Sequence, residues 1–299
     1  MNKLFFIAFI CFIYTSGFAQ KNDSKLTELI QNETKNFKGD IGVYVYHLKK
    51  NKFAAVNADS IFPTASIIKV PILAGVFQKI ATGELKLSQE FYYDTARLYG
   101  GSGLMQYFKD STRIDLSTMI SLMITYSDNI ASLWLQELCG GGKAINALME
   151  QVGLQSTKVN SRTKGREQWR QVYGWGQTTP KEMAHLLKLI AQGKLIDARH
   201  SQKMFRYMKN QYYDNRSLSQ LPPTVTTISK PGMVDDARGE VVLAHAPGGD
   251  FVFCILTKNN TDQSWTPQNE AEVLTRKLAN LIWNYFEPKH PYTAAMPIE

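Results

Sequence analysis

Ser66 and Lys69 are the first residues along the chain whose types and spacing suit covalent chemistry. They stand in Thr64-Ala-Ser66-Ile-Ile-Lys69, three positions apart, so a helix would place them on one face. A serine hydroxyl becomes a nucleophile when a base takes its proton. A lysine held dry, with its pKa lowered by burial, can be that base. Pro71 lacks an N–H and fits a helix only near its start. That puts Ser66 at or beside a helix N-terminus, where partial positive charge favours an alkoxide. Alone the pair is a weak signal, because a capping serine beside a surface lysine has the same spacing.

Two more clusters carry polar chemistry. Tyr126-Ser127-Asp128-Asn129 interrupts the apolar run 119–125. Asp128 as the N-cap of a following helix is compatible with a chemical role for Ser127. Ser229-Lys230-Pro231-Gly232 closes a predicted strand. A cation there can lower the pKa of a nearby hydroxyl or hold an anionic substrate group. Arg238 opens the next strand, and if the two strands form a hairpin, Lys230 and Arg238 lie across it from each other.

Together, and in this order, these elements resemble the signatures of class A β-lactamases and of the wider penicillin-recognising serine hydrolases: Ser-x-x-Lys, Ser-Asp-Asn and Lys-Thr-Gly. The stretch 123–131 looks like the second signature with its flanks. Thr178-Thr-Pro-Lys-Glu-Met-Ala184 resembles the start of the helix after the family's long active-site loop. Arg238-Gly239 with the β-rich run after it resembles the strand carrying the family's substrate-binding arginine, and the likeness spans roughly residues 42–286.

The resemblance implies a β-lactamase-type serine hydrolase that opens the β-lactam ring through an acyl-Ser66 intermediate. Alternatives within the fold are a D-Ala-D-Ala peptidase, an esterase or a slow-turnover penicillin-binding protein. Carried over, Ser66 attacks, Lys69 helps remove its proton and Ser127 passes a proton to the leaving nitrogen. Asn129 contacts the substrate amide, and Lys230 and Arg238 hold the substrate carboxylate. Gly232 and Met233 lie on the substrate-binding strand, and the N–H groups of Ser66 and Met233 form the oxyanion hole.

Two positions depart from the family. Pro231 replaces the threonine of Lys-Thr-Gly, removing a hydroxyl and an N–H. Glu167 is the only carboxylate between Gln155 and Pro180, hence the candidate base for deacylation. Gln168-Trp169-Arg170 follows it without the family's asparagine, and Lys164, Arg166 and Arg170 surround it, so a surface ion pair competes with that role.

The elements that must position these residues follow from periodicity. Helical spacing covers 24–37, 66–80, 116–126, 130–138, 143–152, 180–190 and 270–286, and β-rich runs cover 41–47, 53–56, 224–229, 239–246 and 251–257. Pro180 after Thr178 or Thr179 suits a capped helix start. The polar stretch 155–177 has no strong period. Strands at both chain ends must meet, so the fold expected is α/β (α+β): an antiparallel sheet flanked by helices, with a mainly helical insertion at about 83–208 and a cleft where the two meet.

Residues 1–19 read as a signal peptide: Lys3, an apolar run and Gly17-Phe18-Ala19 before Gln20. The hydrolase domain is then 20–287, with 288–299 as a loose tail, and the mature chain is expected to be periplasmic or secreted. The formal charge of +8 is scattered, which excludes nucleic acid as a partner. Five histidines without zinc-ligand spacing exclude a metal centre, and no cofactor is expected. Cys139 and Cys254 read as buried free thiols, although export would permit pairing. The expected partner is a small β-lactam or acyl-peptide substrate, bound by a monomer without stable membrane insertion.

Overall fold

The computed structural model describes residues 20–294, so the predicted signal peptide lies outside the described residues. Strand β1 (Lys21–Asn22), helix α1 (Ser24–Thr34), β2 (Asp40–His47) and β3 (Lys52–Val56) come first. β4 (Phe62–Pro63) leads through a 3₁₀ turn, Ala65–Ile68, into α2 (Lys69–Ala81). β5 (Glu90–Tyr92) and β6 (Arg113–Asp115) pair around a long bend, and α3 (Leu116–Thr125), α4 (Asn129–Leu138) and α5 (Gly141–Gln151) follow. β7 (Lys158–Val159), α6 (Glu167–Tyr173) and β8 (Gly176–Thr178) occupy the polar stretch that carries no strong period. α7 (Pro180–Ala191) and α8 (Ala198–Met208) precede β9 (Thr227–Val234), β10 (Ala237–Ala244), β11 (Phe251–Lys258) and α9 (Glu270–Phe286).

The main sheet runs β1-β3-β2-β11-β10-β9, so strands from the two chain ends meet at β2 and β11, where Phe253 pairs with Val45. All its pairings are antiparallel except that of the short β1 with β3. Every residue of β10 is buried, the pattern of a strand covered on both faces. One face packs on the 3₁₀ turn, α7 and α8, in one apolar cluster with Ile67, Leu73, Phe77, Leu243 and Leu256. The other packs on α1 and α9 through Leu26, Ile30, Phe253, Leu278 and Trp283.

Three expectations need correction. β9 does not end at Ser229 but continues through Lys230, Pro231 and Gly232 to Val234. A proline inside a strand is tolerated here because β9 is the sheet edge, where its nitrogen can face away from the ladder. β9 and β10 do form a hairpin, but Lys230 pairs with Val241, and Arg238 with Met233. The two cations are therefore not opposite each other. Residues 288–292, expected to be loose, are tied to α9: Trp283 Nε1 donates to His290 O, and Tyr292 N–H donates to Asn284 Oδ1. Cys139 and Cys254 are both buried and free.

Candidate active site

Ser66 stands on the 3₁₀ turn just before α2, and Lys69 is the first residue of that helix, with Pro71 in its first turn. Ala65 and Ser127 adopt φ of 42° and 55°. Such left-handed backbone in a residue with a Cβ costs on the order of 1–3 kcal/mol and persists where surrounding structure enforces it. The enforcement at Ser127 comes from Asp128. One of its oxygens accepts from Ala131 N–H at 2.9 Å, capping α4 as expected. The other accepts from Leu104 and Met105 N–H at 2.7 and 2.8 Å, pinning the long bend to the same corner.

These placements bring four of the expected residues together. Lys69 Nζ donates to Ser66 Oγ at 3.0 Å, to Ser127 Oγ at 2.9 Å and to Asn129 Oδ1 at 2.9 Å. The Ser127 carbonyl is a fourth acceptor within reach, shared among the ammonium's three protons. The amide of Asn129 donates to Gly100 O, so the asparagine clamps the bend as well as the lysine. Lys69 is fully buried, and that desolvation lowers its pKa to about 7, with only the Asp128 charge acting in the other direction.

Lys230 lies on β9 with its side chain fully buried, and Nζ donates to Pro231 O at 3.3 Å. Burial pushes its pKa well below the usual lysine value, and the positive charges of Lys69 and Arg216 push the same way, against Glu240. Gly232 approaches the nucleophile's turn closely. A Cβ there would stand 2.5 Å from Thr64 O and 2.8 Å from Ser66 N, so only glycine lets strand and turn meet. Met233 follows two residues after Pro231. In a pleated edge strand its N–H therefore leaves by the same edge as the proline nitrogen, away from β10.

A cavity of about 470 Å³ opens over these groups, lined by Ser66, Ser127, Asn129, Gly232, Met233 and Arg216, with Gly101, Ser102, Tyr213, Pro231 and Trp265 completing its wall. Arg216 is one residue that the sequence did not announce. It is buried, its Nε pairs with Glu272 at 2.7 Å, and its NH2 donates to the Met233 sulfur at 2.9 Å. Ser217 N–H donates to the buried carboxylate of Glu240, which fixes the backbone beside it. Tyr213 and Trp265 were missed too. Trp265 sits exposed on the loop before α9, with Nε1 donating to Asp235, and a large exposed aromatic on a loop was the available signal.

Arg238 is not brought to Ser66. Its guanidinium stacks 4.9 Å from the centre of Trp265, donates to Ser264 O and lies 3.5 Å from Glu272. It lines a neighbouring small cavity that shares Arg216, Met233 and Trp265 with the main one. Strand alternation explains this: Arg238 shares a face with Glu240 and Val242, one residue out of phase with Val241, the partner of Lys230.

Glu167 is not brought to Ser66 either. It is exposed in the first turn of α6, where it accepts from Gly165 N–H, and these backbone bonds hold its carboxyl below the usual range. Among the described residues, none of those lining the cavity is a carboxylate. Trp175 stands beside Lys69, its ring centre 5.8 Å from Nζ.

The model of the β-lactamase enzyme family matches residues 24–286 of the chain. The chain is 22% identical over 297 residues to the β-lactamase VEB-1 of Pseudomonas aeruginosa, covering 95% of this chain and 98% of that one. It is 27% identical over 207 residues to an imipenem-hydrolysing β-lactamase of Enterobacter cloacae, covering 67% and 68%. Among solved structures, PBP-A superposes with a TM-score of 0.80 at 23% identity, over 90% of this chain and 98% of that one. A variant of PBP-A solved as an acyl-enzyme complex with penicillin G is similar to the same degree. A β-lactamase from Chitinophaga pinensis gives 0.79 at 19% identity, over 87% and 99%.

Proposed function

The chain belongs to the β-lactamase enzyme family, a β-lactamase-type serine hydrolase, and from that premise we propose the role of each residue in its cleft. Ser66 is the nucleophile. The observation that carries this is the buried ammonium of Lys69 within 3.0 Å of Ser66 Oγ and 2.9 Å of Ser127 Oγ. With a pKa near 7, Lys69 is substantially neutral at neutral pH and can accept the serine proton. Ser66 Oγ then bonds to the lactam carbonyl carbon, the ring C–N bond breaks, and the proton passes through Ser127 to the leaving nitrogen. The N–H groups of Ser66 and Met233 flank the point where Gly232 meets the turn and can stabilise the oxyanion. Asn129 supplies its amide to the acyl side chain.

At the far end of the cavity Arg216, rather than Arg238, takes the anionic group of the substrate, since Arg216 lines the cavity beside Met233 and Arg238 lines its neighbour. Arg238 contributes by holding Trp265 and Glu272, and Lys230 lies buried close enough to Lys69 for that charge to disfavour its own. Export through a signal peptide at 1–19 is proposed from the leader pattern alone, and among the described residues no helix is long and apolar enough to cross a membrane.

A second reading, a slow-turnover penicillin binder, is favoured by the exposed position of Glu167 and by the likeness to PBP-A, a variant of which was solved as an acyl-enzyme. One experiment tests both. The purified protein is mixed with a chromogenic cephalosporin while colour and intact mass are followed. A mass increase equal to the opened drug, absent in Ser66→Ala, is expected. Labelling that persists in Ser66→Ala would remove Ser66 from its role.

A further inference from the structure

An aromatic side chain stands beside the lysine that bonds Ser66. Trp175 is half-buried against the larger apolar core, and its ring centre lies 5.8 Å from Lys69 Nζ. Its carbonyl accepts from Asn160 and Ser161 N–H at 2.8 and 3.0 Å, so the backbone is anchored from behind. Gly176, next in sequence, packs so tightly on the nucleophile's turn that a Cβ there would stand 2.4 Å from Ile68 Cδ1. Tyr99, from the long bend, meets the indole edge-on at 5.4 Å. Trp175 is thus held from three sides against the lysine that bonds Ser66.

Hydrolysis of an acyl-enzyme needs a water beside both the ester carbon and a base. The water oxygen bonds to that carbon, the bond to Ser66 Oγ breaks, and the serine recovers a proton. Among the described residues, the group bonded to Ser66 Oγ and able to act as base is Lys69, because Glu167 is at the surface and Asp128 is committed to three N–H donors. We propose that the indole of Trp175 is a wall that keeps water from Lys69 and the Ser66 ester, so that the acyl-enzyme forms readily and is released slowly. This rests on the acyl-Ser66 reading above. It adds a specific cause for a long-lived intermediate: an apolar side chain filling the approach, in addition to a missing acid. The same desolvation keeps Lys69 neutral enough to accept the serine proton in the first step.

The test uses the full-length mature protein with benzylpenicillin, followed by intact mass and by the pH dependence of acylation. Trp175→Ala should shorten the lifetime of the adduct at least about ten-fold, a fraction of the roughly hundred-fold or more that a positioned base contributes. Trp175→Phe should stay within about two-fold of the wild type, since an apolar ring still fills the space. In Trp175→Ala the acid limb of the acylation profile should also move to higher pH, because a better-hydrated lysine returns towards its ordinary value. A purely structural role for the indole would lower the melting temperature without that shift.

Adduct lifetimes equal in Trp175→Ala and wild type, with acylation intact, overturn the wall while leaving the acyl-Ser66 reading in place. Rapid wild-type turnover with no accumulating adduct overturns it as well. A wild type that forms no adduct and turns nothing over overturns the functional reading itself.

Discussion

Lys69 has one charged neighbour that favours its ammonium form, Asp128, against complete burial that disfavours it, and burial prevails. The sign for activity follows. Above about pH 7 the amine is neutral and can take the Ser66 proton, and below that it is charged and cannot. Acylation measured as kcat/KM should therefore fall on the acid side of about pH 7, by up to ten-fold per pH unit. A profile flat from pH 5 to 9 would remove Lys69 as the base. Arg216 and Arg238 separate at the same scale. Arg216→Ala should weaken carboxylate-bearing substrates by roughly ten- to a hundred-fold in kcat/KM, the worth of a charge-assisted hydrogen bond, and neutral acyl esters far less. Arg238→Ala should act less, and on both substrate types alike; the reverse order would return the anchoring role to Arg238. Ser66, Lys69, Ser127 and Asn129 were legible because each belongs to a short motif on a local element. Arg216 was not, because it lies in coil and reaches the cavity only through Glu272 and Met233, partners far along the chain.

The elements differ in how far their pattern announced them. Helices with an apolar stripe, α2, α3, α4, α7 and α9, were readable within a few residues. The stretch 155–178 was not, because side-chain hydrogen bonds rather than an apolar period hold it. Gln136 exchanges two bonds with Ser161, and Asn146 two with Val159. Arg166 ties Asn160 to Gln177 across the neck of the stretch, and Glu182 accepts from Ser156 and Thr157. The phase of β10 was also beyond reach, since it depends on how tightly Asp235-Asp236 turns, and one residue of slip exchanges the two faces. Asp128 shows what such polar ties contribute to an element. It caps α4 and holds the long bend, so Asp128→Ala removes a cap worth about 1 kcal/mol and strands two further N–H donors. The expected loss is about 2–4 kcal/mol, read from the urea midpoint at unchanged m-value, together with a loss of acylation as Ser127 and Asn129 lose their frame. A loss under about 0.5 kcal/mol would mean that the bend is held by its apolar contacts instead.

Across the whole molecule, stability depends on a sheet whose two faces are covered by different helices, and His47 sits at the rim of the face under α9. It pairs with Phe251 across β2 and β11, and its ring meets Phe286 edge-on at 4.8 Å. Nδ1 accepts from Lys50 N–H, so the neutral ring carries its proton on Nε2, which is buried without a partner. Protonation would place a second proton on Nδ1, break that acceptor bond and set a cation beside Lys49 and Lys50, with Asp250 the one opposing charge. Burial and these lysines lower the pKa to about 4 from the ordinary 6.5. In the unfolded chain the imidazole binds its proton near 6.5, so between the two values the unfolded state holds more protons than the folded one. The contribution is present in full above pH 6.5 and is lost as pH falls towards 4. One proton corresponds to a slope of about 1.4 kcal/mol per pH unit at most. His47→Phe keeps a ring against Phe286 and cannot titrate, so its stability should fall less steeply than the wild type's across this window, whatever constant offset the lost acceptor introduces. Urea melts of both proteins at closely spaced pH values would decide the matter, and parallel curves from pH 6.5 to 4 would place the acid sensitivity of the fold elsewhere.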